Sequence, residues 1–350
     1  MNSFGFELDS VRKSEILLPQ LVDLTTFHSL NCTEYRNIVA SAFQSSSFLE
    51  KLEDIPWLPV RIFKELEMRS IKKENIFRVL TSSGTTGQQV SKIYLDDSAA
   101  RAQAEAMTGS FREVIGDRRL PMLILDSKSV TKPGSLSARG AGVLGMMNLG
   151  RKHAFALGED DEWNDEIVRD FLDEFGSGQF LIFGFTYMVW QFLEKHSQNN
   201  KIDLSNGILI HGGGWKKLSS LAVDNITFRR SLNERFDLKR IHNFYGMVEQ
   251  IGTIFLESPS GDGLYAPDFA DIVIRDPETL MPLPVGEPGL IQVFSTLPRS
   301  YPGHSLLTED IGVILGVDDG HWPGKRFSVL GRLPRAEVRG CSDTFQASQQ

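Results

Sequence analysis

Short apolar runs alternate with segments of helical periodicity between residues 120 and 256, and this alternation constrains the fold most. Four of the runs have the length of buried strands: residues 121–126, 180–185, 207–211 and 240–244. The segments between or after them with helical spacing are residues 160–175, 187–196 and 216–236. Strands connected through helices predict a mainly parallel sheet with helices on both faces, so we expect an α/β fold.

The residue pattern of the chain differs on either side of this region. Up to about residue 75 it has helical character, with helical spacing over residues 41–53 before Pro56 and Pro59. After about residue 257, short apolar runs alternate with turns rich in proline and glycine, which predicts a smaller, β-rich, barrel-like subdomain. We therefore divide the chain into a helical N-terminal segment packed on the core, an α/β core, a β-rich subdomain and a short tail: residues 1–75, 76–256, 257–330 and 331–350.

Composition excludes several classes of function. The formal net charge of −8 and the isoelectric point near 5.5 argue against a nucleic-acid-binding protein. The two cysteines, Cys32 and Cys341, are too far apart in sequence for a disulfide framework and favour a reducing compartment. The first residues lack the pattern of a signal peptide, and the longest apolar stretch, 180–193, is too short to span a bilayer. We expect a cytoplasmic protein without a membrane span.

A loop rich in serine, threonine and glycine lies between two further apolar runs, 76–80 and 92–95. Hydroxyl side chains and two glycines favour neither helix nor strand, so two short strands joined by a loop are predicted. Glycines let backbone N–H groups form a concave nest, and the hydroxyls add donors, which is the chemistry of a phosphate cradle. The alternative is a solvated hairpin loop without a ligand. The loop residues are Ser82, Ser83, Gly84, Thr85, Thr86 and Gly87.

Four later segments carry polar residues after predicted strands or around glycine turns, where a ligand can approach the backbone. Each segment alone is weak evidence for a binding site, since three successive glycines, for example, more often form a plain turn. The segments are His211-Gly212-Gly213-Gly214-Trp215-Lys216, Tyr245-Gly246-Met247-Val248-Glu249, Thr308-Glu309-Asp310 and Gly331-Arg332.

In their order and spacing, the loop and these segments resemble the adenylate-forming superfamily of acyl and aryl acid ligases, luciferases and peptide-synthetase adenylation domains. That superfamily has a Ser/Thr/Gly phosphate loop ending in Pro-Lys, a Gly-Gly turn beside adenine, Tyr-Gly-x-Thr-Glu, Thr-Gly-Asp, and Gly-Arg before a hinge. The resemblance covers roughly residues 75–341. It implies the N-terminal-domain fold of that superfamily, with residues 76–256 as its nucleotide-binding core.

Within the superfamily the chain is most similar to the acyl-protein synthetase (LuxE-type) branch. The sequence features that support this similarity are the segment 211–216 and Arg339-Gly340-Cys341-Ser342. Typical adenylate-forming ligases continue past Gly-Arg into a mobile lid of about a hundred residues with a catalytic lysine, an ordinary size for a small domain. Only 18 residues follow Arg332. We therefore expect the usual lid domain to be missing.

Three departures from the superfamily pattern affect these expectations. Gln88-Gln89 replaces the Pro-Lys of the phosphate loop, and Lys92 lies further along the chain. Val248 replaces the threonine before Glu249, which removes one hydroxyl contact to the nucleotide. Glu309 replaces the glycine of Thr-Gly-Asp, while Asp310 remains.

The resemblance implies roles for the matching residues. Residues 82–87 would hold the β- and γ-phosphates of ATP, with Lys92 nearby, and Glu249 would ligate Mg²⁺. Gly212, Gly213, Gly214, Tyr245 and Gly246 would surround the adenine. Asp310 would accept from the ribose hydroxyls, and Arg332 would donate to ribose or phosphate. His211 is either a pocket residue or a core histidine with its hydrogen bonds satisfied.

Cys341 is the expected acyl acceptor. A free thiol has a pKa near 8.5, so only a small thiolate fraction exists at neutral pH. Arg335 and Arg339 would favour the thiolate and Glu337 would oppose it. The alternative is that a lone cysteine near the end of a chain has no role.

Three functions follow as hypotheses. In the first, the chain activates a carboxylic acid, expected to be a long-chain fatty acid, as acyl-AMP, and Cys341 then takes the acyl group for a partner reductase or transferase. In the second, the adenylate passes to coenzyme A or an acyl carrier protein supplied in trans. In the third, the chain is a nucleotide-binding scaffold without turnover, which Val248 and the altered loop favour.

Overall fold

The computed structural model of the chain describes residues 4–43, 49–81, 90–132, 138–159, 161–196, 202–215 and 222–333. The predicted phosphate loop, residues 82–87, and the predicted acyl acceptor Cys341 lie outside these ranges. The described residues form a large mixed sheet with helices on both faces and a separate two-stranded hairpin.

Four of the helices begin at acidic or amide side chains that accept hydrogen bonds from the first turn: Asp9, Asp96, Asn164 and Asp224. The helices of the described chain are α1 (Ser10–Asn31), α2 (Thr33–Ala42), α3 (Ile62–Glu65), α4 (Asp97–Ile115), α5 (Ala138–Met147), α6 (Asp165–Phe175), α7 (Thr186–Lys195) and α8 (Asn225–Phe236).

The strands of the described chain are β1 (Leu58–Pro59), β2 (Arg78–Thr81), β3 (Lys92–Leu95), β4 (Leu120–Ser127), β5 (Gly150–Leu157), β6 (Phe180–Phe185), β7 (Gly207–Gly212), β8 (Arg240–Tyr245), β9 (Phe255–Glu257), β10 (Leu264–Tyr265), β11 (Ala270–Arg275), β12 (Gly289–Ser295), β13 (Ser305–Val317) and β14 (Lys325–Arg332). Their order in the sheet is β11-β12-β13-β14-β10-β9-β8-β7-β6-β4-β5, with β1 beside β13.

Strands β4 to β8 form the parallel part of the sheet, and their apolar side chains alternate between its two faces. Leu123, Ile182 and Leu209 pack against helices α6, α7 and α8. Their neighbours in sequence, such as Ile124 and Ile210, pack on the other face against α4 and α5. Because both faces are covered, these strands are nearly continuous in apolar residues. The predicted α/β fold with helices on both faces is confirmed.

The sheet continues without interruption into antiparallel strands. β8 pairs antiparallel with β9, β9 with β10, and β10 with β14. β11 to β14 then form an antiparallel meander whose inner side holds a separate apolar cluster around Phe255, Ile272 and Phe327. This agrees with the β-rich character predicted after residue 257. The division of the chain into four segments stays a prediction.

The N-terminal segment packs on this antiparallel part. Leu17 and Leu21 of α1 contact Val273 and Phe294 of the meander. Deeper in the interface, His28 stacks on His304 with a centroid distance of 5.0 Å, and its Nδ1 lies 2.7 Å from the Ser70 hydroxyl. Burial lowers the pKa of His28 to about 4. Burial also lowers the pKa of His304. The helices of this segment are thus joined to the sheet through buried polar contacts.

The predicted elements differ from the observed ones at several boundaries. The helix predicted over residues 41–53 is wrong in the described part, because α2 ends at Ala42 and only a single 3₁₀ turn forms at Leu52–Asp54. The helices predicted from residues 160 and 216 begin at Asp165 and Asn225, after N-cap side chains. Strand β5 was not predicted, because Gly150–Leu157 begins with charged residues at an edge of the sheet.

Among the described residues, the helices are too short or too polar to cross a membrane.

Candidate active site

Residues from three of the predicted segments meet where β8 ends and where β13 and β14 pair. Asp310 lies opposite Arg332 in the β13–β14 ladder, so the register of this pair fixes their proximity. Tyr245 is the last residue of β8 and donates its phenol hydrogen to Asp310 Oδ2, at 2.7 Å. The sheet order β13-β14-β10-β9-β8 thus brings Tyr245 to Asp310, which is 65 positions away in the sequence.

A cavity of about 70 Å³ lies at this point. Its walls come from three parts of the chain: the segment around α3, the turn after β8, and the β13–β14 pair. The lining residues are Val60, Arg61, Lys64, Met247, Glu249, Thr308, Glu309, Asp310 and Arg332.

Asp310 is the centre of the polar contacts in this cavity. Besides the Tyr245 hydroxyl, Arg332 Nε lies 3.6 Å from Asp310 Oδ1, and Arg332 Nη2 lies 3.7 Å from Glu309 Oε2. Burial, followed by the charge of Asp310, raises the pKa of Tyr245 well above its usual range. The phenol therefore stays a hydrogen-bond donor at neutral pH, and the Arg332 side chain, 62% exposed, keeps donors available for a ligand.

Glu249 is buried in a short 3₁₀ turn, Val248–Gln250, that follows β8. Gln250 anchors the turn, since its side-chain amide donates to the Gly303 carbonyl oxygen at 2.9 Å. Burial raises the pKa of Glu249, whereas a hydrogen bond from Ser91 and the charges of Lys64 and Arg332 lower it. Ser91 lies four residues after the predicted phosphate loop, residues 82–87. The carboxylate thus faces cationic groups in a partly dry cavity.

This donor set fits Mg²⁺ of the kind that is held mainly by phosphate oxygens. Mg²⁺ bound with a nucleotide usually takes one or two protein carboxylates and completes its shell with phosphates and water. Glu249 supplies one such carboxylate. No cluster of three or more potential metal-ligating side chains occurs in the described ranges, which argues against an all-protein cage there.

The glycine turn after β7 is held by close packing. β7 pairs with β8 so that Gly212 lies opposite Phe244, and a Cβ on Gly212 would lie 2.6 Å from the Phe244 ring. Gly213 has a φ of +77°, a conformation that a residue with a side chain adopts only with strain. Gly214 follows, and Gly246 makes the corresponding turn after β8. The two glycine turns end adjacent strands, as expected for an edge of the sheet where a ligand binds.

His211 is a core residue in this structure and does not line the cavity. Its Nδ1 lies 3.0 Å from the Thr186 hydroxyl, and its ring lies 4.7 Å from that of Phe228. Complete burial lowers its pKa to about 3. Of the two roles considered for His211, its burial favours the core role, although its Nε2 has no hydrogen-bond partner among the described residues.

The phosphate-loop residues cannot be placed, because they lie outside the described residues, but the hairpin that carries the loop can. β2 and β3 pair antiparallel, with Thr81 opposite Lys92, so the two strands meet where the loop leaves. The two short strands predicted here are confirmed. Lys92 is exposed and is not among the described residues that line the cavity.

Lys64 and Arg61 were not predicted as site residues. In sequence they are ordinary charged residues after a Pro-rich segment. Their place at the cavity results from the pairing of β1 with β13, a contact between residues more than 240 positions apart. The sequence around them therefore gives no signal for this position, since several other cations lie between them and the Ser/Thr/Gly loop.

A larger groove, about 440 Å³, contains none of the predicted site residues. It is lined by residues of α6 and by His196, Ile202 and Asp203. Its walls carry charged groups, with His196 Nε2 3.8 Å from Asp165 Oδ1, but these belong to none of the motifs identified in the sequence.

Sequence comparison identifies the family. The acyl-protein synthetase (LuxE) family profile matches residues 1–349. Two similar curated proteins are the long-chain-fatty-acid–luciferin-component ligases of Aliivibrio fischeri and Vibrio harveyi. They are 25% and 26% identical to this chain over 90% of its length, and the matches span 84% and 83% of those proteins.

Structural comparison gives the same fold. The 2-hydroxyisobutyryl-CoA ligase in its postadenylation state, with a bound acyl-adenylate, superposes with a TM-score of 0.68 at 17% identity, covering 93% of this chain and 69% of the ligase. The ATP-bound MatB of Rhodopseudomonas palustris superposes with a TM-score of 0.50 at 16% identity, covering 75% of this chain and 49% of MatB. With the match over nearly all residues, the chain belongs to the acyl-protein synthetase (LuxE) family of ligases and has the fold of adenylate-forming enzymes.

Proposed function

We propose that the protein activates a long-chain fatty acid with MgATP, forming the acyl adenylate and releasing pyrophosphate. The observation that carries the proposal is the meeting of Glu249, Asp310 and Arg332 around one cavity, with Tyr245 bonded to Asp310. The superfamily uses residues of these types to bind ATP. The substrate class comes from the names of the two curated relatives, which are ligases of long-chain fatty acids.

The nucleotide would lie along the edge of the sheet where β7 and β8 end. Gly212 to Gly214 and the Tyr245 ring would flank the adenine. Asp310 would accept hydrogen bonds from the ribose hydroxyls, and the exposed Arg332 guanidinium would donate to the ribose or to a phosphate. The loop at residues 82–87, with Lys92 after it, would hold the terminal phosphates, and Glu249 would hold the metal.

The chemical step needs no proton transfer. A carboxylate oxygen of the fatty acid attacks the α-phosphorus, the bond from this phosphorus to the bridging oxygen breaks, and pyrophosphate leaves with the electron pair. Catalysis of such a step depends on positioning and on stabilising negative charge. Mg²⁺, when bound, would supply charge at the phosphates. The chain itself supplies oriented donors and a partly dry cavity.

The acyl group would then pass to Cys341. The thiolate attacks the acyl carbon, the bond from that carbon to the phosphate oxygen breaks, and AMP leaves. The resulting thioester is a chemically suitable substrate for a partner acyl reductase or transferase. Delivery to coenzyme A or to an acyl carrier protein is the alternative, and it uses the same first step. A nucleotide-binding scaffold without turnover is the third hypothesis.

Exchange of labelled pyrophosphate into ATP tests the first step. We expect exchange that depends on both the protein and a fatty acid, and we expect it to depend on Mg²⁺. A panel of acids of different chain lengths identifies the preferred substrate. No exchange with any acid, in a protein that is folded by circular dichroism, would leave only the scaffold hypothesis.

Labelling with radioactive fatty acid and ATP tests the second step. The wild type should acquire label that hydroxylamine releases, because hydroxylamine cleaves thioesters. Cys341→Ser should lose this label but retain exchange. Cys32→Ala is the matched control, since Cys32 is the second cysteine of the chain and is buried. Wild-type labelling of Cys341→Ser would remove Cys341 from the mechanism, because the acyl group would then be held by another residue of the chain.

A further inference from the structure

A basic segment of the N-terminal region is built into the wall of the cavity. β1 pairs in parallel with β13, with Leu58 opposite Leu306 and Pro59 opposite Leu307. The Val60 N–H extends this pairing by donating to the Leu307 carbonyl oxygen at 2.9 Å. The chain therefore enters α3 directly beside Thr308, and residues 60–64 are fixed relative to Asp310.

A buried aromatic contact holds α3 in this position. Phe63 is only 1% exposed and packs edge-to-face on Tyr301, with a centroid distance of 6.0 Å. Tyr301 is also buried and precedes β13 in the chain. Because Phe63 points into the core, the next residue, Lys64, lies at the border between core and cavity and is half-buried.

The charges that line the cavity leave Lys64 without an ion-pair partner. Arg61 is paired with Glu65 at 3.4 Å, and Arg332 lies within 4 Å of both Glu309 and Asp310. Among the described residues, no carboxylate oxygen lies within 4.0 Å of the Lys64 ammonium. A half-buried cation without a partner is unfavourable unless a ligand supplies the opposite charge.

The position of Lys64 relative to Glu249 indicates which part of a ligand this is. Lys64 is close enough to Glu249 to lower its pKa, against the larger effect of burial. Glu249 is the proposed Mg²⁺ ligand, and Mg²⁺ binds the phosphates. The ribose is expected on the other side of the cavity, at Asp310. The free ammonium group therefore faces the region proposed for the phosphate chain.

We propose that Lys64 contacts the phosphate chain of bound ATP and stabilises the negative charge that develops when pyrophosphate leaves. This inference rests on the proposed function and assigns a catalytic role to a residue of the N-terminal segment. Lys64 transfers no proton in this step, which balances on its own: the carboxylate–phosphorus bond forms as the phosphorus–bridging-oxygen bond breaks. A cation fixed by the β1–β13 pairing does not have to be brought in by another domain.

The test compares Lys64→Gln and Lys64→Arg with the wild type. Lys73→Gln is the matched control, because Lys73 is an exposed lysine of the same segment that does not line the cavity. We expect Lys64→Gln to lower kcat/KM for ATP in the exchange assay by roughly 10- to 100-fold, as for loss of one charged donor. Lys64→Arg should recover part of this loss, and Lys73→Gln should exchange like the wild type.

Binding without turnover separates this inference from the proposed function. Calorimetric titration with MgATP and, separately, with adenosine should give weaker binding of MgATP to Lys64→Gln and unchanged binding of adenosine. If the wild type catalyses exchange, and Lys64→Gln is within twofold of the wild type in both exchange and MgATP binding, the inference is overturned and the proposed function remains intact. A wild type that binds MgATP but gives no exchange would overturn the proposed function, while the binding of Lys64→Gln would still decide the phosphate contact. A wild type that does not bind MgATP would overturn both.

Discussion

At the scale of single residues, the carboxylate of Asp310 connects the other groups of the site. Asp310 accepts from the Tyr245 hydroxyl and lies beside Arg332, and these three residues belong to β8, β13 and β14. Replacing Asp310 therefore changes both the orientation of the arginine and the proposed acceptor for the ribose. The neighbouring Glu309 also lies near the arginine, with its Oε2 3.7 Å from Arg332 Nη2.

Asp310→Asn should raise KM for ATP more than it lowers kcat. The amide keeps the size of the carboxylate but loses its charge, and a hydrogen bond to a charged group is worth about 1.5–3 kcal/mol. This corresponds to a loss of roughly 10- to 100-fold in kcat/KM, measured from the ATP dependence of pyrophosphate exchange. Glu287→Gln, an exposed carboxylate distant in sequence, is the control. Unchanged kinetics of Asp310→Asn would contradict the proposed role.

Tyr245 allows the ring and the hydroxyl to be tested separately. Tyr245→Phe removes the bond to the Asp310 carboxylate and should cost about 1.5–3 kcal/mol of unfolding free energy, measured by urea denaturation. Because the ring remains, its KM for ATP should change little. Tyr245→Ala removes the ring, and stacking of a base on an aromatic ring is worth about 1–3 kcal/mol, so KM should rise roughly 5- to 150-fold. Equal KM values for the two variants would exclude the ring from adenine binding.

At the scale of elements, the turn that carries Glu249 is held by its packing on α4. Gly252 has a φ of +88°, and a Cβ there would lie 2.7 Å from the Gln103 carbonyl oxygen. Gln250, in the same turn, is bonded to the carbonyl oxygen of Gly303. The position of the Glu249 carboxylate thus depends on a close contact between a loop and a helix.

Gly252→Ala should reduce both stability and exchange activity. Positive φ costs a residue with a side chain about 1–2 kcal/mol, and the contact with Gln103 adds to this cost. Gly116→Ala is a matched control, because Gly116 has a φ of +76° but has nothing within 4 Å of a Cβ. For Gly116→Ala, urea denaturation should give only the loss due to positive φ, about 1–2 kcal/mol, and pyrophosphate exchange should be normal. Equal effects of the two substitutions would show that the packing on α4 does not position Glu249.

Sequence patterns predicted the helices and strands better than the contacts between them. The alternation of strands and helices gave the parallel strands, and the apolar runs around the Ser/Thr/Gly loop gave the β2–β3 hairpin. The ordered motifs indicated Tyr245, Glu249, Asp310 and Arg332 before any contact was known. Lys64 was not predicted because its position depends on the pairing of β1 with β13, and β1 is only two residues long. Strand β5 was missed because an edge strand with exposed charges has no clear apolar pattern.

At the scale of the whole molecule, buried histidines should make stability depend on pH. Burial lowers the pKa of His28 and His242 to about 4 and that of His211 to about 3. In the unfolded chain a histidine has a pKa near 6.5, so between these values the unfolded state binds more protons. The stabilising contribution is therefore present above about pH 6.5 and is lost as the pH falls toward the folded pKa.

Urea denaturation at about pH 7, 6 and 5 should give a falling free energy of unfolding, by up to about 1.4 kcal/mol per pH unit for each such histidine. His28→Asn should have a shallower dependence, because one of these groups is removed. Its stability at pH 7 should also be lower, since the contacts to Ser70 and His304 are altered. Constant stability of the wild type from pH 7 to 5 would contradict the assignment of neutral buried histidines.

The formation of an acyl adenylate is tested most directly by following the carboxylate oxygens of the fatty acid. The fatty acid is labelled with oxygen-18 in its carboxylate, incubated with ATP, Mg²⁺ and the protein, and the AMP formed after transfer or hydroxylaminolysis is analysed by mass spectrometry. If the carboxylate attacks the α-phosphorus, a single labelled oxygen appears in AMP. AMP without the label, or ADP as the nucleotide product, would contradict the account.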